Sequence, residues 1–264
     1  MSRGDQLRLT SSYEGYGMRA VLVVVVLSVV LFGCSRPESG VQTVIPTVNP
    51  LNKVAEYATT VPEPSGLVYN SKNNTLMTVS DQNSTVYEMD FTGRILKSMV
   101  IPSSDMEGIA LSANCDTMYI AEETKELITT YLVNGTKLSS FPVNVATVLK
   151  HGPEGVTVDK NNHIFVLNEK LPMMILEYDQ GKEVSRKEIN YSTDCSDIFY
   201  EYSTDCFWIV SDESQLVFKL SRSGALLGEW SVPFTKGEGL TIVQDKIYIV
   251  NDLDGKLYIF DKPM

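Results

Sequence analysis

Pro64-Ser65-Gly66-Leu67-Val68, Met106-Glu107-Gly108-Ile109-Ala110, Pro153-Glu154-Gly155-Val156-Thr157, Cys195-Ser196-Asp197-Ile198-Phe199 and Gly237-Glu238-Gly239-Leu240-Thr241 read as five copies of one motif. Measured at the glycine position, successive copies lie 42, 47, 42 and 42 residues apart. A period of that length in β-rich sequence is the signature of propeller blades. The repeat therefore sets an all-β fold, a five-bladed β-propeller, and also places the polar residues that could carry function.

Each repeat holds four extended segments separated by turn residues. In the first these are Gly66–Tyr69, Thr75–Ser80, Thr85–Met89 and Ile95–Val100, punctuated by Asn73-Asn74, Asp81-Gln82-Asn83 and Thr92-Gly93. The fifth repeat is short, with strands near Leu240–Val243, Lys246–Val250 and Lys256–Phe260, the last two joined by the hairpin signal Asp254-Gly255. Leu51–Ala58 belongs to no repeat and has the length of the missing strand. It is expected to close the ring, because a closed ring leaves no long sheet edge open to aggregation.

The segment before the domain reads differently. Ala20–Phe32 is an apolar run behind Arg19, too short for a typical membrane span of about 20 residues and suited to a signal-peptide core. It leads into Leu31-Phe32-Gly33-Cys34, which resembles the bacterial lipoprotein box, with Phe32 bulkier than the usual small residue. That resemblance implies a lipidated Cys34 anchored in the bilayer and, from Ser35 after it, outer-membrane sorting in a diderm cell. The alternative is an uncleaved signal anchor, and either reading puts the domain in the cell envelope. The expected divisions are residues 1–33 as signal peptide, with a start at Met18 in view of its basic flank, 34–50 as lipidated cysteine and Pro-rich tether, and 51–264 as propeller.

A formal net charge of −11 argues against nucleic acid as partner, since phosphate binding needs clustered Lys and Arg. An exported location permits disulfides. Nevertheless Cys195 and Cys206 are expected at opposite ends of a hairpin, too far apart to bridge.

In a blade, the start of the innermost strand and the end of its neighbour lie at the same end of the channel. Two sets of residues therefore converge on one mouth. The motif contributes Ser65, Glu107, Glu154, Ser196 with Asp197, and Glu238; the ends of the second strands contribute Ser80-Asp81, Glu122-Glu123, Asn168-Glu169, Ser211-Asp212 and Asn251-Asp252. Crowded carboxyls repel one another unless a cation compensates. Oxygen-only ligands on loops suit calcium better than zinc. Glu107, Glu154, Asp197 and Glu238 are the expected metal ligands, with Ser65, Asp81, Glu122, Glu169, Asp212 and Asp252 lining the mouth. The structural alternative is that these are turn formers and inward residues satisfied by backbone amides or water. Catalytic motifs such as H-E-x-x-H and G-x-S-x-G are absent from the sequence. The candidate base is His151, read as an ordinary loop histidine for want of an oriented partner.

Glu-Pro-Ser-Gly-Leu (63–67), Met-Glu-Gly-Ile-Ala (106–110) and Gly-Pro-Glu-Gly-Val (152–156), with the lipoprotein-type box and tether, resemble the SdiA-regulated family of bacterial envelope proteins over residues 50–264. The resemblance implies a five-bladed propeller distantly related to NHL repeats, with bound calcium, and it supplies no activity. Ser196-Asp197 departs from the Glu-Gly pattern, leaving open whether the fourth blade donates a ligand. The expectation is a calcium-binding, lipid-anchored protein that binds or scaffolds a protein or small ligand; the alternative is a calcium-dependent hydrolase of lactones or phosphoesters.

Overall fold

The computed structural model describes residues 48–145 and 151–264; the apolar run Ala20–Phe32 and Cys34 lie outside them. Among the described residues twenty strands follow one another without a helix. β1 (Lys53–Ala58) precedes the first blade, which comprises β2 (Pro64–Asn70), β3 (Thr75–Ser80), β4 (Thr85–Met89) and β5 (Ile95–Val100). The second blade is β6 (Met106–Leu111), β7 (Thr117–Glu122), β8 (Leu127–Leu132) and β9 (Lys137–Pro142), and the third is β10 (Pro153–Val158), β11 (Ile164–Asn168), β12 (Met174–Asp179) and β13 (Lys182–Glu188). The fourth is β14 (Asp197–Glu201), β15 (Cys206–Ser211), β16 (Leu216–Ser221) and β17 (Leu226–Ser231). The fifth is β18 (Gly237–Val243), β19 (Lys246–Asn251) and β20 (Lys256–Asp261), completed by β1 in the order β1-β20-β19-β18.

Each blade is an antiparallel meander, and its residues grade outward from the axis. The second strands β3 and β15 are buried along their whole length, as strands covered on both faces must be. Outermost β13, Lys-Glu-Val-Ser-Arg-Lys-Glu, alternates exposed and half-buried, because solvent meets one of its faces. The first and last strands of the domain pair with Lys53 opposite Phe260 and Ala58 opposite Lys256, which confirms the expected closure. Cys115, Cys195 and Cys206 are free thiols, and Glu201 pairs with Cys206 in the β14–β15 ladder, as the hairpin reading requires.

Five apolar clusters fill the five blade-to-blade interfaces. Trp208 and Tyr258 pack between blades four and five, Phe207 between three and four, and Tyr248 against Phe91 between five and one. The cluster joining blades five and one is the smallest, with Leu67, Leu76, Met89, Val250 and Leu257 fully buried. The β1–β20 ladder closes blade five beside this interface, joining the first and last strands of the propeller.

The inner strands approach one another most closely at the motif glycines. A Cβ placed on Gly108 would lie 2.3 Å from the Glu154 carbonyl oxygen, and one on Gly239 would lie 2.5 Å from the backbone of Gly66. Gly66 and Gly155 meet the next strand's backbone at 2.7 Å in the same way. In the fourth blade Asp197 occupies this level instead. Its Oδ1 accepts the Ile198 N–H (2.8 Å), while Oδ2 accepts the N–H groups of Leu240 (2.8 Å) and Leu67 (3.2 Å) from blades five and one. The four glycines and this carboxylate mark the level at which neighbouring inner strands pack backbone to backbone. Gly108→Ala is expected to destabilise the domain by about 2–3 kcal/mol, because the clash is with main chain that cannot step aside. Gly224→Ala, where the new methyl meets only the flexible Lys187 Cδ at 3.7 Å, should cost about 1 kcal/mol for its left-handed backbone. Denaturant melts of the two variants beside the parent check this ordering.

Candidate functional site

The glutamates owe their direction to a fault in the strand ladder. In blades one, two, three and five the first hairpin shifts register at the motif, between Ser65 and Leu67, Met106 and Gly108, Pro153 and Val156, and Gly237 and Gly239. A bulge bends the strand and re-aims a side chain. The fourth blade, with Ser196-Asp197, pairs regularly through Asp197 opposite Val210. The bulged blades thus present Ser65, Glu107, Glu154 and Glu238 to the channel mouth, and the regular one presents Ser196.

These residues line a cavity of about 170 Å³ together with Glu63, Asp81, Glu169, Asp194, Asp212, Lys236 and Asp252. Of the residues expected here, Glu122 and Asp197 lie elsewhere. Glu122 ends β7 at the position held by Ser80, Asn168, Ser211 and Asn251 in the other blades, and all five are buried. Its carboxylate accepts bonds from Thr129 Oγ1 and Lys125 Nζ, both at 2.5 Å. Although burial pushes this acid up, those bonds hold it below its usual range. Side chains alternate along a strand, so the mouth position is one residue later and belongs to Glu123. Asp197 is placed differently: both of its oxygens accept backbone N–H donors at the glycine level, and it is not among the residues that line the cavity. Burial drives its carboxyl well above the ordinary range, with those three donors opposing.

A further ring of residues escaped the sequence reading. Glu63, Asp105, Gly152, Asp194 and Lys236 each stand three positions before the motif glycine or its Asp197 equivalent, a fixed offset that aligning the repeats would have exposed. Their carbonyls receive the N–H groups of Asp81, Glu123, Glu169 and Asp252 at 3.0–3.1 Å; in the fourth blade the Asp194 carboxylate takes the Asp212 N–H at 3.1 Å. This backbone lock pins each second-strand acid beside the motif acid of its own blade.

The charges are unevenly balanced. Lys236 Nζ lies 3.1 Å from Asp212 and 3.3 Å from Glu238, and Lys170 Nζ lies 2.8 Å from Glu169 and 2.9 Å from Glu213. No lysine reaches Glu107 or Glu154 among the described residues. Burial first, then the charge of Asp81, pushes Glu107 up to about 8. Burial, then Glu107 and Glu123, raises Glu154 well above the carboxylate range, and burial raises Glu238 to about 7 against the pull of Lys236. Ser65 Oγ is 2.8 Å from both the carbonyl and the Oε2 of Glu107. One hydroxyl proton serves only one of them at a time, and its bond to the carboxylate pulls Glu107 down against burial.

Two groups of carboxylates converge further. Asp81, Asp105 and Glu107 each offer an oxygen within 4.8 Å of the other two, and so do Glu123, Glu154 and Glu169. Oxygens that share a calcium ion at 2.3–2.6 Å lie no more than roughly 5 Å apart, so both groups fit that ion; neither contains the Cys or His donors that zinc favours. His151, read from sequence as unpartnered, has its Nδ1 2.7 Å from Glu169 Oε2. The partner lies 18 residues away at the end of the next strand, and only the closed hairpin brings the two together.

A comparison with curated protein sequences finds no match. Among solved structures, a chain of a nidogen/laminin complex is 13% identical with a TM-score of 0.54, the match covering 72% of this chain and 73% of that one. A catalytically inactive virginiamycin B lyase from Staphylococcus aureus with quinupristin is 14% identical with a TM-score of 0.50, covering 76% of this chain and 66% of the lyase, just under two thirds of its length. At such identities these likenesses speak to the fold alone. The SdiA-regulated family model matches residues 52–263, which spans every blade and the closing strand, and the chain belongs to that family.

Proposed function

We propose that this protein is a lipid-anchored, calcium-binding propeller of the cell envelope that uses its acidic face to hold a protein or small ligand. The supporting observation is the pair of three-carboxylate groups at the mouth, whose oxygens are spaced for a shared cation and in which burial and neighbouring acids push Glu107 and Glu154 upward. Asp81, Asp105 and Glu107 would hold one ion and Glu123, Glu154 and Glu169 a second. A bound cation would supply the positive charge that no lysine of the mouth brings to Glu107 or Glu154. Export and anchoring rest on the apolar run before Leu31-Phe32-Gly33-Cys34.

Protons and calcium then compete for the same oxygens, and the sign follows from the raised pKa values. A carboxyl raised in the folded state binds more protons there than when unfolded, so without metal its contribution to stability is greatest at low pH. It falls as pH rises from about 4.5, the unfolded value, to about 8, the folded value of Glu107. Metal-free protein should therefore melt at progressively lower temperature between pH 5 and 8.5. Calcium at about 100 times its dissociation constant should restore about 2.7 kcal/mol, or roughly 5–10 °C, with the largest effect at the alkaline end. Calorimetric titration of chelator-treated protein should show proton release on binding; absent heat and an unmoved melting temperature at pH 8 would remove the metal.

The anchor has its own test. Full-length chain expressed in a diderm bacterium should partition into detergent and incorporate radiolabelled palmitate, and Cys34→Ala should abolish the label and leave the protein in the aqueous phase. A second reading, hydrolysis of a lactone or phosphoester, is favoured by one observation, the His151–Glu169 hydrogen bond beside Glu123 and Glu154. It requires calcium-dependent turnover lost in both His151→Ala and Glu154→Gln; the binding-protein reading expects none against lactones, aryl esters and phosphoesters.

A further inference from the structure

The glycine level divides the channel into two chambers that share no lining residue. The acidic cavity ends at the residues before the glycines, and a second cavity of about 360 Å³ begins with the residues after them. Its wall is built from all five blades, through residues such as Val68, Ile109, Val156, Ile198, Phe199 and Ile242. No Asp, Glu, Lys, Arg or His lines it among the described residues.

Two polar groups face this apolar space without a full set of partners. Thr157, 7% exposed, accepts the Tyr200 N–H at 3.0 Å through its hydroxyl oxygen, and its own proton has no acceptor among the described residues. Tyr202 stands in the turn after β14, 46% exposed, with its ring edge-on to Tyr200 at 5.2 Å. Its phenol likewise has no hydrogen-bond partner among the described residues. An apolar wall with a few unspent hydrogen-bonding groups, in a volume of several hundred Å³, is the make-up of a small-molecule site.

We propose that this lower chamber binds a neutral, largely apolar small molecule, aromatic or alicyclic, that carries an acceptor for the Thr157 hydroxyl. Ions are excluded because a charge moved into a chamber without countercharge loses its hydration unrewarded. The volume suits one compact molecule. This site is separate from the acidic mouth and does not depend on calcium there.

The test uses the purified full-length protein and the neutral fluorophore N-phenyl-1-naphthylamine as probe. A single saturable, blue-shifted fluorescence titration is expected. Ala113→Trp, at an exposed turn position on the rim, should weaken it at least tenfold by placing an indole over the opening. Tyr202→Glu should do the same by bringing a charge to the rim, and it serves should the first variant misfold by circular dichroism. Val184→Trp, on the exposed face of β13, should leave the titration unchanged. Absence of saturation, undiminished binding in both rim variants, or equal loss in Val184→Trp would overturn the proposal. Calcium titrations of the same variants report on the other chamber alone, so failure here and failure of the metal reading are told apart.

Discussion

The constraint on which this fold turns is backbone packed against backbone, at the ring where five inner strands meet. Main-chain atoms of neighbouring blades stand where a side chain's first carbon would go, and glycine is the residue that permits this. The fourth blade shows how the rule is broken without opening the ring. Asp197 has a Cβ, and its carboxylate turns the intrusion into a tie by accepting N–H groups from the fifth and first blades. An acid so placed is expensive in burial and is compensated by three donors, the compensation that a buried carboxyl requires.

Closure at this level separates two environments along one axis. On one side four of the five inner strands begin with bulges and present Ser65, Glu107, Glu154 and Glu238; on the other the lining is mostly apolar, with Val, Ile and Phe residues. The division follows from the motif itself, because the residue before each glycine is aimed by the bulge and the residue after it resumes the alternation. A polar and an apolar chamber therefore sit back to back with only the glycine ring and one aspartate between them.

The blades were readable because turn residues and apolar runs repeat, and a repeat tolerates local ambiguity in any one copy. The missing strand of the fifth blade was readable for the same reason, since Leu51–Ala58 had no other place in the count. The site was less open to reading. Glu122 and Glu123 are both carboxylates at the end of a strand, and composition cannot say which faces the mouth; the pleat decides, by one residue. Asp105 belonged to no strand or motif and is placed by its left-handed backbone beside Glu107. Asp197 looked like a substitute ligand in a degenerate motif, whereas its partners Leu67 and Leu240 lie 130 and 43 residues away and exist only once the ring has closed. The His151–Glu169 bond has the same character: the sequence holds both residues and nothing that joins them.

A fivefold scaffold need not carry a fivefold site, and here it does not. Ser65 and Ser196 take the motif acid's place in blades one and four, so the acids concentrate in blades two and three, where Glu107 and Glu154 have no lysine beside them. Lys236 faces them from the fifth blade and spends its charge on Asp212 and Glu238. The lysines of the mouth are thus unevenly placed, Lys236 beside Asp212 and Glu238 and Lys170 beside Glu169, with none beside Glu107 or Glu154. A ligand centred on the axis would meet these groups unequally. The scaffold supplies equivalent positions, the departures from repetition choose which carry charge, and the unmatched carboxyls of blades two and three remain the part of the molecule most in need of a positive partner.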